Sequence, residues 1–165
     1  MTDAAVFYVS CHNMSKYKGY MVLHGPGAIV KYKYKNGRVE ELGLFSDADF
    51  NRITTHRIFS CQGESFIAIT GYPNHLYIIR TSDMTLVAKY KLFDEESPVI
   101  YGEGIYICSG NKNAPLYLQV NSAGTKIYLV NSDTCFLVEW LTGQIENFKY
   151  TNRNYAVSAH MEIIE

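Results

Sequence analysis

Residues 116–148, LYLQVNSAGTKIYLVNSDTCFLVEWLTGQIENF, decide the fold. The stretch breaks into short apolar runs separated by Asn, Ser, Gly, Asp and Thr. Runs that short, rich in β-branched and aromatic residues and bounded by turn formers, read as strands and not helices. A weaker copy stands upstream at 58–93, IFSCQGESFIAITGYPNHLYIIRTSDMTLVAKYKLF. Gly63 answers Gly124, each in a turn. Phe66–Ile69 answers Ile127–Val130, and a polar break follows at 71–75 and at 132–134. A second strand is expected from Leu76 and from Phe136. Thr81–Met84 and Leu141–Gln144 are tight turns, and a third strand runs over 86–92 and over 145–150. An internal repeat of this kind governs the architecture.

A third, fainter copy lies near the start. Tyr20–Leu23 is its first strand, His24–Gly27 its break and Ala28–Tyr34 its second strand. Lys35-Asn36-Gly37 turns the chain, because Asn and Gly both tolerate φ > 0, and Val39–Phe45 returns. Before it, Ala4–Cys11 is a strand and His12–Lys18 a polar loop. Ser46–Thr55 reads as a loop with one helical turn at Asp47–Asn51. Short strands are expected at Val99–Tyr101 and Gly104–Cys108, and a last strand at Tyr155–Ile164. A second periodicity runs alongside: VSC at 9–11, FSC at 59–61, YIC at 106–108 and VSA at 157–159. Together these define one all-β repeat domain over 1–165. Its units cover about 4–56, 57–103 and 104–154, with a final strand at 155–165.

The pattern of Gly turn, strand, small-residue break, strand, tight turn and strand resembles the blades of β-propeller repeat proteins of the WD40-like or YVTN-like kind. The residues that carry the likeness are QGESFIAITGYPNHLYIIRTSDMTLVAKYKL and NSAGTKIYLVNSDTCFLVEWLTGQIENF, with Trp140 and Thr142-Gly143 in the last hairpin. The resemblance implies about three four-stranded antiparallel blades and a protein-interaction or scaffold role. Closed propellers use about 4–8 blades. About 12–13 strands would therefore be part of a larger ring, a half completed by another chain, or a very small ring. The structural rival is a β-trefoil, which reaches the same count of three four-stranded units and closes as a monomer.

Composition sets the outer limits. Apolar residues make up 47% of the 165 and charged residues 19%, which excludes a disordered chain. The 14 Tyr and 8 Phe suit sheet. Net charge is −1, which argues against a strongly electrostatic nucleic-acid binder. No apolar run reaches the roughly 18 residues of a membrane span. MTDAAVFYVSC lacks the features of a secretory leader. Cys11, Cys61, Cys108 and Cys135 are scattered, so reduced thiols in a cytoplasmic, reducing compartment are expected.

No chemistry-bearing constellation emerges. Cys11-His12 are strand neighbours and point apart. His12, His24, His56, His75 and His160 follow no ligand spacing. Gly25-Pro26-Gly27 precedes a strand, whereas a phosphate loop feeds a helix. Asp47, Asp49, Glu95 and Glu96 are loop acids. Lys31-Tyr32-Lys33-Tyr34-Lys35 sets lysines on one face and tyrosines on the other. That is an amphipathic strand whose lysines meet water or guard an edge, or else a strip for single-stranded RNA. No enzyme activity, cofactor or metal is expected. The expectation is a non-enzymatic scaffold module in a larger assembly, with a protein partner or a second copy bound near Phe7, Tyr8, Lys31, Lys33, Tyr155 and His160. The alternatives are a trefoil that binds a sugar, small ligand or protease, and a propeller-type hydrolase or lyase.

Overall fold

A computed structural model describes residues 4–11, 14–17, 20–23, 27–47, 52–72, 75–92, 117–130 and 134–149. Among these there are strands and turns and no helix. The strands are β1 (Ala4–Cys11), β2 (Met14–Tyr17), β3 (Tyr20–Leu23), β4 (Ala28–Lys35), β5 (Arg38–Ser46), β6 (Arg52–Cys61) and β7 (Glu64–Tyr72). Then follow β8 (His75–Arg80), β9 (Leu86–Lys91), β10 (Tyr117–Val120), β11 (Lys126–Val130), β12 (Thr134–Glu139) and β13 (Gln144–Lys149). All pairings are antiparallel. They form a sheet β1-β4-β5, a sheet β6-β7-β8-β9, a sheet β10-β11-β12-β13 and a separate β2-β3 hairpin. We call the first three the first, second and third sheets.

The sheets stack in chain order, because the strands of the second sheet are apolar on both sides. Phe66, Ala68, Leu76 and Ile78 pack with Leu118, Ile127, Leu129, Phe136, Val138 and Trp140 of the third sheet. Their alternates Ile67, Ile69, Tyr77 and Ile79 pack with Ile29 and Phe45 of the first. Period-two alternation thus sends successive residues of β7 and β8 into two different cores. A fully buried side chain of this kind contributes about 1.5–3 kcal/mol, so the second sheet is the anchor of the stack. The architecture is all-β, with propeller-like blades of three to four strands, as expected. No barrel closes among the described residues.

The turns follow local chemistry. Asn36 (φ 53°) and Gly37 (φ 76°) make the two-residue hairpin of β4-β5. Asp83 accepts hydrogen bonds from the Thr85 amide at 3.2 Å and the Thr85 hydroxyl at 2.8 Å, which shapes the β8-β9 turn. In the β10-β11 turn the Asn121 side chain accepts from the Thr125 amide at 2.8 Å and the Lys126 amide at 2.9 Å.

Several sequence expectations need correction. Met14–Tyr17, inside the expected polar loop, is a strand. Ser46 and Arg52–Thr55, read as loop, belong to β5 and β6. Tyr20–Leu23 pairs with β2 and not with β4, whose neighbour is β1. Among the described residues the first sheet therefore has three strands, where four were expected. The repeat is also displaced by one residue. Glu64 directly follows Gly63 and pairs with Cys61, whereas Thr125 intervenes between Gly124 and Lys126. Ile67 therefore answers Leu129 and not Tyr128. A one-residue slip exchanges faces, and with it each sheet turns the same side toward the next. The expectations at 99–101, 104–108 and 155–164 lie outside the described residues.

Candidate interaction surface

The first sheet has one face toward the second sheet and an outer face that is partly exposed, on which Val30 at the centre is buried. On β4 the odd residues turn inward. Ile29 is fully buried, and Lys31 donates from Nζ to the Thr81 carbonyl at 2.6 Å. On β1, Tyr8 stands opposite Lys31 and packs against the same core. Gly43 completes that row on β5, and a Cβ there would meet Met84 Cγ at 3.3 Å. The missing side chain at Gly43 leaves room for the buried Met84. Asp47, just past β5, pairs with Lys89 of β9 at 3.2 Å, and Lys89 lies 5.3 Å from the centre of the Tyr77 ring.

The even residues of β4 turn outward. Cross-strand register sets them in rows: Ala5, Tyr34 and Val39; Phe7, Tyr32 and Glu41; Val9, Val30 and Leu44. Phe7 and Tyr32 stack at 5.6 Å. Phe7 is 38% exposed, Tyr34 43%, Leu44 52% and Val39 61%. Scattered exposed apolar residues are ordinary, but a contiguous patch on one sheet face marks a contact surface. On the opposite side of the β4-β5 hairpin, the side of Lys31, the residues Lys33, Lys35, Asn36, Arg38 and Glu40 line an open concavity of about 480 Å³.

The expected contact residues therefore divide. Phe7 lies on the outer face. Tyr8 and Lys31 are engaged between the first and second sheets, and Lys33 shares their side near the β4-β5 hairpin. Tyr155 and His160 lie outside the described residues. The lysines do not guard an edge, because β4 is the central strand of its sheet. It is the tyrosine side that faces outward, the reverse of what an amphipathic reading suggests. Val39 and Leu44 were missed, since alternation alone does not say which face of a strand is covered.

The third sheet has a weaker version of the same feature. Tyr128, Leu137 and Cys135 share its far side and are half-buried, and burial pushes the Cys135 thiol up from its ordinary range. Phe148, opposite Cys135, is exposed. Lys126 and Glu139 form an ion pair there at 3.2 Å.

The joint between the second and third sheets is closed. Trp140 meets Phe66 at 5.1 Å and Phe59 at 5.9 Å between ring centres. Its indole Nε1 donates to the Gly124 carbonyl at 2.6 Å, and the Trp140 carbonyl accepts from the Tyr90 hydroxyl. Trp140 is thus a core residue. Arg57 of β6 donates to Gln119 of β10 at 3.0 Å, so these two strands lie side by side across the joint.

Among the described residues no group of three or more His, Cys, Asp or Glu side chains is placed to hold a metal ion. Cys11, Cys61 and Cys135 are free thiols. No described helix is long and apolar enough to cross a membrane. No protein-family model matches the chain, and no curated protein matches it either.

Proposed function

We propose that the chain is a non-enzymatic protein-interaction module, a stack of propeller-like blades that docks onto another protein to extend the stack into a scaffold. The observation that carries this reading is the contrast between the sheets. The central strands β7 and β8 of the second sheet have both faces covered, and their core side chains are essentially inaccessible. The first sheet is built to the same plan and leaves Phe7, Val9, Tyr34, Val39 and Leu44 exposed on one side. An exposed group of apolar side chains on one sheet face is the kind of surface that proteins use for contact.

The test is native mass by light scattering, with and without Val39→Asp and Leu44→Asp. Both side chains are exposed, so the fold tolerates the charges. The native chain is expected to associate above its 18.8 kDa monomer mass or to bind a hydrophobic dye. The double variant is expected to do neither. A native chain that is monomeric and binds no dye overturns the proposal.

A further inference from the structure

Among the described residues the first sheet has one strand fewer than the second and third, and its neighbour is exposed at the corresponding place. Ile58 of β6 stands opposite Ile67, on the side of the second sheet that faces the first. Ile67, Tyr77 and Ile79 on that side are fully buried, yet Ile58 is 50% exposed. His56, two residues earlier on the same side, is exposed as well. The first sheet therefore covers β7 and β8 and stops before β6. On the opposite side nothing is missing. There β10 lies beside β6, and Phe59 and Cys61 are buried with Leu118. Among the described residues the far edge of β1 pairs with no strand.

We propose that the edge of β1 that pairs with no described strand is a strand-addition site that takes an extended segment of a protein partner, antiparallel to β1, with an apolar side chain seated on Ile58. This rests on the interaction reading above and specifies where backbone pairing occurs. The added strand would stand over β6 as β10 does on the other side, so the contact continues an interface the fold already uses. One side of the segment meets Ile58. The other side extends the outer face beside Phe7 and Val9. The outer strip is apolar, whereas the β6 strip is apolar at Ile58 and polar at His56 and Ser60, so the segment recognised carries β-branched or aromatic residues on its outer side and one apolar residue over Ile58 on the other. Unpaired edge groups supply affinity through main-chain bonds, and alternate side chains supply selectivity.

The probe is a synthetic peptide of the Arg52–Cys61 sequence with Cys61→Ser, the strand that holds the corresponding place in the second sheet. Binding of the labelled peptide to the full chain is followed by fluorescence anisotropy. Ile58→Asp is expected to weaken it about tenfold or more. Methylating alternate peptide nitrogens is expected to abolish it, because the pairing donors are lost. Val39→Asp, at a far corner of the outer face, is expected to leave it unchanged. Ile58 is exposed in the free chain, so its variant folds, which far-ultraviolet circular dichroism checks. Absence of binding at millimolar peptide overturns the proposal, and so does equal binding by the Ile58→Asp chain or by the methylated peptide. If the chain dimerises and the peptide dissociates the dimer, the occupant is a second copy and the partner assignment is overturned. Failure of the outer-face reading appears in native mass and not in peptide binding, so the two outcomes are separable.

Discussion

Gly63 and Gly124 hold matching places in two copies of the repeat, and replacing each with alanine tests the stacking directly. Both have positive φ, 83° and 70°. An L-residue there costs about 1–2 kcal/mol from backbone sterics alone. At Gly63 a Cβ would meet nothing within 4 Å, so that cost is the whole effect. At Gly124 the Cβ would lie 2.0 Å from the Ser60 carbonyl oxygen and 3.1 Å from Cys61 Cβ. The two turns must then part by more than about 1 Å to reach ordinary contact. That movement strains the Trp140–Gly124 hydrogen bond, worth about 1 kcal/mol net, and loosens the Trp140–Phe66 packing. Gly124→Ala should therefore cost about 2–3 kcal/mol more than Gly63→Ala. With a urea slope of about 2 kcal/mol/M, the midpoints separate by about 1 M or more. Trp140 is the single tryptophan, so its emission reports unfolding at this joint. Midpoints that coincide would refute the close approach of the second and third sheets.

Two further outcomes follow from the same packing. Lys31→Met keeps the aliphatic stem and removes the bond to the Thr81 carbonyl, so it should destabilise the chain by about 1 kcal/mol in urea melts; an unchanged midpoint would place that lysine in solvent. Burial pushes both the Tyr90 phenol and the Cys135 thiol up. The folded chain then keeps protons that the unfolded chain releases, so stability is flat below the ordinary thiol range and falls as pH rises through the thiol and phenol ranges. Tyr90→Phe should flatten the upper part of that decline, and a decline unaffected by it would assign the effect to other groups.

What could be read from the residues, and what could not, divides along a physical line. Strand positions in the two clear copies were legible, because alternation, turn residues and run length all agree there. Gly63 and Asn36-Gly37 announced their turns for the same reason. The extra residue after Gly124 was not legible. A longer turn built on the Asn121 side chain looks the same in composition as a short one, yet it reverses which side chains face which core. The pairing of β4 with β1, in place of β3, was equally hidden. Pairing between strands separated in sequence depends on tertiary packing and not on local preference. Phe7 was legible as a contact candidate from its place on the first strand. Val39 and Leu44 were not, since their exposure depends on which side the second sheet covers.

The outer face alone is a weak anchor. Phe7, Val9, Tyr34, Val39 and Leu44 are each only partly exposed, so covering them contributes about 1 kcal/mol apiece, or about 5 kcal/mol in all. Association costs an estimated 4–15 kcal/mol before any surplus appears. By this arithmetic the apolar face alone would not hold a partner. The edge of β1 supplies what the face lacks. A strand added there forms a ladder of backbone bonds, covers Ile58, and brings further apolar side chains over Phe7 and Val9. Face and edge belong to the same three strands, so one extended segment with a sheet behind it would engage both. For a whole partner, unlike the isolated peptide that reaches only the edge, a variant at either place should weaken binding more than its own contact area accounts for, because the strand ladder and the face contact would hold each other in register.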